Sequence, residues 1–284
     1  MKILLTGANG QLGRCFQDRL PEGWQVWATD TAELDITDYE KVLVAVKAFQ
    51  PDSIVNAAAY TAVDKAESEP ELAALVNKNG PENLARAAKE IGARLVHVST
   101  DYVFDGTATV PYVETDKTNP LGVYGKTKLD GEIAVSHILP DAIIMRTAWV
   151  FSEYGNNFVK TMLRLGKERE SLGIVSDQRG CPTYAGDIAL AILDLLKLNV
   201  SGGIYHFCGD KEVAWHEFAE AIFARAVELG KLDKTPVVSA ITTEQYPTPA
   251  KRPLYSVLNT MKINKLGIVS SDWCFSLTDV LIKQ

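Results

Sequence analysis

The chain has 284 residues, 46% of them hydrophobic and 23% charged, with a formal net charge of -7. That length buries a sizeable core as one large domain or a domain with a smaller lobe, and the composition excludes a disordered or fibrous chain. The acidic balance argues against the basic face that nucleic acid or a membrane surface demands, so no nucleic acid and no membrane is expected as partner. Cys15, Cys181, Cys208 and Cys274 lie far apart, without zinc-like spacing, and read as reduced, mostly buried thiols. No stretch approaches about 18 uninterrupted apolar residues, and the opening apolar run is too short for a signal peptide, so the cytoplasm is the expected location.

Residues 2–6 are a short apolar run that stops at Gly7, after which Gly10 and Gly13 punctuate a loop leading into a helical pattern over 14–20. In such a strand, loop and helix, Gly7 permits the tight turn, Gly10 lets the backbone approach a pyrophosphate, and Gly13 lets the helix lie close to the strand. A lone glycine triplet is a weak signal. Here a second strand, 25–29, ends in Asp30, whose carboxylate can accept hydrogen bonds from the adenosine ribose hydroxyls and repel a 2'-phosphate. The reading therefore leans towards NADH over NADPH, although Asp30 would also serve as a turn residue. Thr37 or Asp38 can cap a helix over 39–49, and the strand over 53–59 ends in the small residues Ala57, Ala58 and Ala59, against which a cofactor can lie. Two helical segments over 67–91 are separated by Gly80 and Pro81, and a buried strand covers 94–100. Asn119 reads as the N-cap and Pro120 as the first turn of a helix that places Tyr124 and Lys128 four apart on one face. A further strand falls within 141–150.

This alternation predicts an α/β fold, a doubly wound parallel (Rossmann-type) sheet, with residues 1–150 as a dinucleotide-binding domain. Beyond it, helices near 157–167, 187–198 and 215–229 and strands near 173–177 and 204–208 read as a smaller substrate-binding lobe, 151–284. A later segment, roughly 185–210, can pack back on the first domain. The remainder reads as loops and a short terminal helix.

Ligands bind such sheets outside the carboxyl ends of the strands, where the glycine loop, Asp30, residues 57–59, 99–104 and 147–149 all fall. A hydroxyl, a phenol and an ammonium around a nicotinamide support hydride transfer. Thr100 would hold a carbonyl oxygen, Tyr124 would give it a proton, and Lys128 would hold the nicotinamide ribose and ease proton loss from Tyr124. No metal is needed for that chemistry. A Tyr and a Lys four apart also occur often by chance, so the pair counts only together with its neighbours.

Gly7, Gly10 and Gly13, the run Ser99 to Gly106, and Tyr124 with Lys128 together resemble the extended short-chain dehydrogenase/reductase family. The similarity continues through Asn56 to Asp64, Arg146 to Val150, Asn157 to Val159, Asp177 to Thr183, and Arg252 with Pro253, and so runs through almost the whole chain. The resemblance implies NAD(P)H-dependent reduction of the C4 keto group of dTDP-4-dehydro-L-rhamnose to dTDP-L-rhamnose, with a dTDP-sugar as the small-molecule partner. It implies Thr100, Tyr124 and Lys128 as the catalytic set and Gly7, Gly10, Gln11, Leu12, Gly13, Asp30, Asp35, Ile36, Ala57, Ala58 and Ala59 as cofactor contacts. Thr100, Asp101 and Trp149 would meet the sugar, and the fork of Arg252 suits the nucleotide's phosphates. Gln178 and Thr183 would stabilise a loop. Some members hold magnesium at a dimer interface through glutamates, one of them in the first helix. Cys15 stands about there in this chain, so magnesium is not expected, and a homodimer stays possible without it. The competing readings are a related sugar-nucleotide dehydratase or epimerase, and a non-catalytic regulatory subunit of the same fold. Dehydratases carry Thr-Asp-Glu where this chain has Thr100, Asp101 and Tyr102, and a regulatory protein has no physical need of all three catalytic groups.

Overall fold

A computed structural model describes residues 1–284. Strands and helices alternate through the first half as β1 (Lys2–Thr6), α1 (Gln11–Gln17), β2 (Gln25–Thr29), α2 (Tyr39–Phe49), β3 (Ser53–Asn56), α3 (Val63–Ala66), α4 (Pro70–Ala74), α5 (Gly80–Ile91), β4 (Arg94–Thr100), α6 (Val123–Ile138) and β5 (Ile143–Thr147). The second half runs β6 (Val150–Phe151), α7 (Phe158–Glu168), β7 (Ser171–Val175), β8 (Arg179–Gly180), β9 (Thr183–Tyr184), α8 (Ala185–Lys197), β10 (Gly203–His206), β11 (Val213–Ala214), α9 (Trp215–Glu228), β12 (Val237–Ile241), α10 (Met261–Asn264) and α11 (Trp273–Ile282). No helix is long and apolar enough to cross a membrane.

The frame is a six-stranded parallel sheet in the order β10-β5-β4-β3-β1-β2. Its strands are near-continuous apolar runs because helices cover both faces. Leu4, Ile54, Leu95 and Ile144 point to the face covered by α2 and α5, whereas Ile3, Leu5, Val55, Val96 and Met145 point to the other. On that other face the same cluster includes Ile188 and Ile192 of α8, Phe218 and Phe223 of α9 and Leu277 of α11. The second half therefore shares the hydrophobic core of the first. The chain order reverses between β1 and β3, and ligands enter an open parallel sheet at such a switch point.

Several local details differ from the sequence reading. Helix α6 begins at Val123 behind Gly122, which has no side chain to cap it, and Glu67 Oε1 accepts from Val123 N at 2.8 Å. Asn119 instead donates its amide to Asp105 Oδ2 at 3.2 Å, so it braces the loop before the helix. Gly80 and Pro81 do not separate two helices. A π-helical turn over Leu75–Asn79 joins α4 to α5, and Pro81 falls at the start of α5, where a missing N–H is tolerated. Gly80 gives Ile36 room there, since a Cβ would stand 2.5 Å from Ile36 Cδ1. Of the two candidate caps for α2, Asp38 serves, accepting from Lys41 N at 3.2 Å. The strand β12 pairs in parallel with β7 in a segment that reads as loop, since its residues are mostly exposed and lack a clean alternation.

Candidate active site

At the carboxyl ends of β1, β3, β4 and β5 lies a cavity of about 850 Å³. That is near the upper end for small-molecule sites and exceeds what a single sugar fills. Gly7, Gly10, Gln11, Leu12, Asp30, Asp35, Ile36, Ala57, Ala58, Ala59, Thr100, Asp101, Tyr124, Lys128 and Trp149 all line it.

The glycine loop is a close-packed turn. Gly7 has φ +70°, and a Cβ on it would stand 2.6 Å from Ala58 N, so only glycine lets the loop lie on the end of β3. Gly13 sits behind the loop and does not line the cavity; its Cβ would meet Gly7 O at 2.2 Å. Asp30 accepts from Asn9 N at 3.1 Å and Thr31 N at 2.8 Å, which fixes its carboxylate at the rim. The Gln11 Oε1 accepts from Ser152 Oγ and Asn157 Nδ2, each at 2.9 Å, and ties the glycine loop to the start of α7. A cradle too tight for any Cβ, an acidic rim and a floor of three alanines fit a dinucleotide.

Thr100 ends β4, and its hydroxyl donates to Asp101 Oδ1 at 2.9 Å while accepting from Tyr102 N at 3.2 Å. Tyr124 and Lys128 project from α6 into the same cavity. Burial, rather than Lys128, dominates the titration of Tyr124. Burial pushes the Tyr124 phenol up to about 12, with the neighbouring Thr100 hydroxyl opposing and Asp101 adding to it. Burial also pushes the Lys128 ammonium down to about 8, and its Nζ donates to Val98 O at 2.7 Å. In so enclosed a place desolvation is the largest influence on both groups. Tyr124 is thus a loaded proton donor. Asp101 is 2% exposed, and burial pushes its carboxyl up to about 6 against the Ser256 and Thr100 hydroxyls.

Trp149 has φ +47°, a left-handed conformation that is strained for a bulky aromatic. Its indole stacks on Trp215 at 3.4 Å between centroids and 3° between planes. Phe158 tilts against Trp215 at 4.7 Å, and all three rings line the cavity. Gly180 makes room for this wall, since a Cβ there would stand 2.5 Å from the Trp149 ring.

Arg252 does not line the cavity in this conformation. Its Nη1 and Nη2 are taken by Asp64 Oδ1 and Oδ2 at 2.9 and 2.8 Å, and Nη1 also donates to Thr248 Oγ1 at 2.6 Å. A carboxylate fills the fork expected for phosphates. Gln178 donates to Thr243 Oγ1 at 3.0 Å, and the Thr183 hydroxyl donates to Cys181 O at 3.0 Å and accepts from Gly209 N at 3.1 Å.

Sequence reasoning did not single out Trp215, Phe158 or Asn77. The two aromatics stand at the first positions of α9 and α7, a place that pattern reading treats as a helix start. Asn77 lies in the π-helical turn, where its side chain holds Tyr60 N at 2.8 Å, Tyr60 O at 3.1 Å and Thr127 Oγ1 at 3.2 Å. It thereby joins the end of β3 to the helix that carries Tyr124.

A dinucleotide laid across the switch point, with a carbonyl compound between Thr100, Tyr124 and the aromatic wall, is the arrangement of the nicotinamide-dependent oxidoreductases. The family model described as the RmlD substrate binding domain matches residues 1–284, and the chain belongs to that family. It is 48% identical to a dTDP-4-dehydrorhamnose reductase of Aggregatibacter actinomycetemcomitans over 98% of each chain. With the dTDP-4-dehydrorhamnose reductase of Escherichia coli K12 it shares 44% identity over 96% of this chain and 94% of the relative. A crystal structure of a dTDP-4-dehydrorhamnose reductase from Clostridium acetobutylicum superposes with a TM-score of 0.92 at 43% identity, covering 99% of each chain. The Bacillus anthracis reductase of that name, crystallised in complex with NADP, superposes with a TM-score of 0.94 at 38% identity, covering 100% of this chain and 99% of that one.

Proposed function

We infer that the chain is an NAD(P)H-dependent reductase that converts the C4 keto group of dTDP-4-dehydro-L-rhamnose to the hydroxyl of dTDP-L-rhamnose. Near-full-length relatives at 48% and 44% identity carry that activity in their names. The observation that carries the reading to this chain is the presence of Thr100, Tyr124 and Lys128 together on one cavity wall.

The glycine loop, Asp30 and residues 57–59 would hold the dinucleotide. When bound, the reduced nicotinamide supplies hydride to the keto carbon. Tyr124 gives its proton to the C4 oxygen, which leaves a tyrosinate that the Lys128 ammonium stabilises, and the Thr100 hydroxyl, turned from Asp101 Oδ1, donates a hydrogen bond to the same oxygen. Asp101 and Trp149 meet the sugar ring, with Trp215 behind the indole. Three carboxylates, Asp30, Asp35 and Asp101, line the cavity, and Lys128 is its only basic residue. A 2'-phosphate would find no cation at the rim, which supports NADH as the better reductant. The nucleotide sugar is the small-molecule partner, and its synthesis supports a cytoplasmic enzyme.

The test is to incubate the purified protein with the keto sugar nucleotide and NADH or NADPH and follow the absorbance of the reduced nicotinamide. Steady loss of absorbance is expected. A folded protein that oxidises neither cofactor would sink the reading.

A further inference from the structure

Helix α6 presents Tyr124, Lys128 and Glu132 at successive turns of one face. The third member has no part in the chemistry above. Glu132 is 3% exposed, and so is buried as deeply as Arg146, at 2%, with which it pairs. Its carboxylate accepts from Arg146 Nε at 2.9 Å and Nη2 at 2.6 Å, and from the Ser99 hydroxyl. Ser99 and Arg146 are register partners on β4 and β5, each one residue before the threonine that its strand delivers to the cavity, Thr100 and Thr147. One carboxylate thus ties the helix of Tyr124 to both strand ends. A buried ion pair of this kind adds little net stability, because desolvating two charges consumes most of their attraction.

The surroundings of Lys128 give the pair a use. Its ammonium is 2% exposed and has one hydrogen-bond acceptor, Val98 O. Facing it are Tyr124 and Glu132 on its own helix and His97 on β4, which burial keeps neutral. Asp101, in the turn after β4, faces Tyr124, and Arg146 on β5 is engaged by Glu132. Burial lowers Lys128 and Glu132 is the group that opposes this. We propose that Glu132, braced by Ser99 and Arg146, is a positioning residue for the reduction. One helical turn from Lys128, its negative charge favours the ammonium in a water-poor site, and its hydrogen bonds tie the Thr100 strand end to the Tyr124 helix. The proposal rests on the role given to Lys128 above.

Glu132→Gln keeps the shape and removes the charge. The alkaline limb of kcat/KM should then move to lower pH by about one unit, because the ammonium loses its proton sooner. The single variant strands Arg146, so Glu132→Gln/Arg146→Met is measured beside it; with no unpaired buried charge it should fold and show a displacement in the same direction but smaller, since a like charge leaves with the carboxylate. A limb at the parent's pH in a variant that melts cooperatively, with turnover merely lowered, would reduce Glu132 to a structural part and overturn the proposal. Lys128→Met separates the two levels. If it is inactive while the limb of the Glu132 variants stays put, only this inference fails; if it turns over like the parent, the role of Lys128 itself fails.

Discussion

Asp101 carries a cost that can be measured without any ligand. Its carboxyl is buried on the cavity wall, with only the Thr100 and Ser256 hydroxyls to offset the loss of water. The folded carboxyl titrates near about 6 and an unfolded one near the ordinary 3.8, so between these values the folded protein holds a proton that the unfolded chain has released. Stability falls wherever the native state binds more protons as pH rises, and it levels off above the folded value. Working the two values through that relation, the penalty grows by about 2 kcal/mol between about pH 4.5 and about pH 7.5. Asp101→Asn has nearly the same shape and does not titrate. Denaturant unfolding of both proteins at the two pH values gives a double difference in which the constant cost of the amide cancels. The variant should gain about 2 kcal/mol on the parent on going to the higher pH. A double difference near zero, or of opposite sign, would refute the placement of an ionised Asp101 in a desolvated wall.

Tyr124→Phe should keep cofactor binding, followed by quenching of protein fluorescence, and lose turnover by about 10²- to 10⁴-fold, the usual weight of a positioned proton donor; a parental rate would mean that the proton comes from elsewhere. Asp30→Ala should raise the kcat/KM ratio of NADPH over NADH by about tenfold, the effect of one unfavourable charge beside the 2'-phosphate, and an unchanged ratio would show that Asp30 does not face the ribose. Gly180→Ala would push a Cβ to 2.5 Å from the Trp149 ring and should cost about 1–3 kcal/mol of stability by overpacking. It should also raise KM for the sugar nucleotide, leave cofactor binding intact and change the near-ultraviolet circular dichroism of the stacked indoles; an unaltered indole signal would contradict the wall as described.

The first βα unit is legible because every part of it is local: an apolar run, three glycines with different steric duties and an acidic residue after the next strand. Thr100, Tyr124 and Lys128 were readable for a related reason, since a parallel sheet carries all its strand ends to one edge. What was not readable depends on partners far away in sequence. Asn119 looks like a cap until Asp105 takes its amide, and Arg252 looks like a free fork until Asp64, 188 positions away, fills it. The π-helical turn follows from the packing of Asn77 and Gly80 against α6 and Ile36, and β12 exists only because β7 lies beside it. That burial moves both Tyr124 and Lys128 towards their neutral forms was not readable either, because spacing reveals that two groups are neighbours but not how little water they share.

The position after Asp101 separates reduction from dehydration. Dehydratases of the resembling family carry a glutamate there, and water loss needs that carboxylate as a base beside an acid. Here Tyr102 stands on the cavity wall edge-on to Tyr124, with centroids 5.7 Å apart and planes at 78°. Burial first, and the Asp101 charge second, raise its phenol well above the ordinary range, so Tyr102 stays protonated wherever the fold is stable. The remaining carboxylate nearby, Asp101, is itself held towards the neutral form. Tyr102 brings no carboxylate to the place where a dehydratase has its base, which leaves Asp101 as the one carboxyl there, while Tyr124 can give a proton to a sugar oxygen as hydride arrives. The chemistry of this wall therefore runs in the direction of proton donation, which is what reduction of a ketone requires.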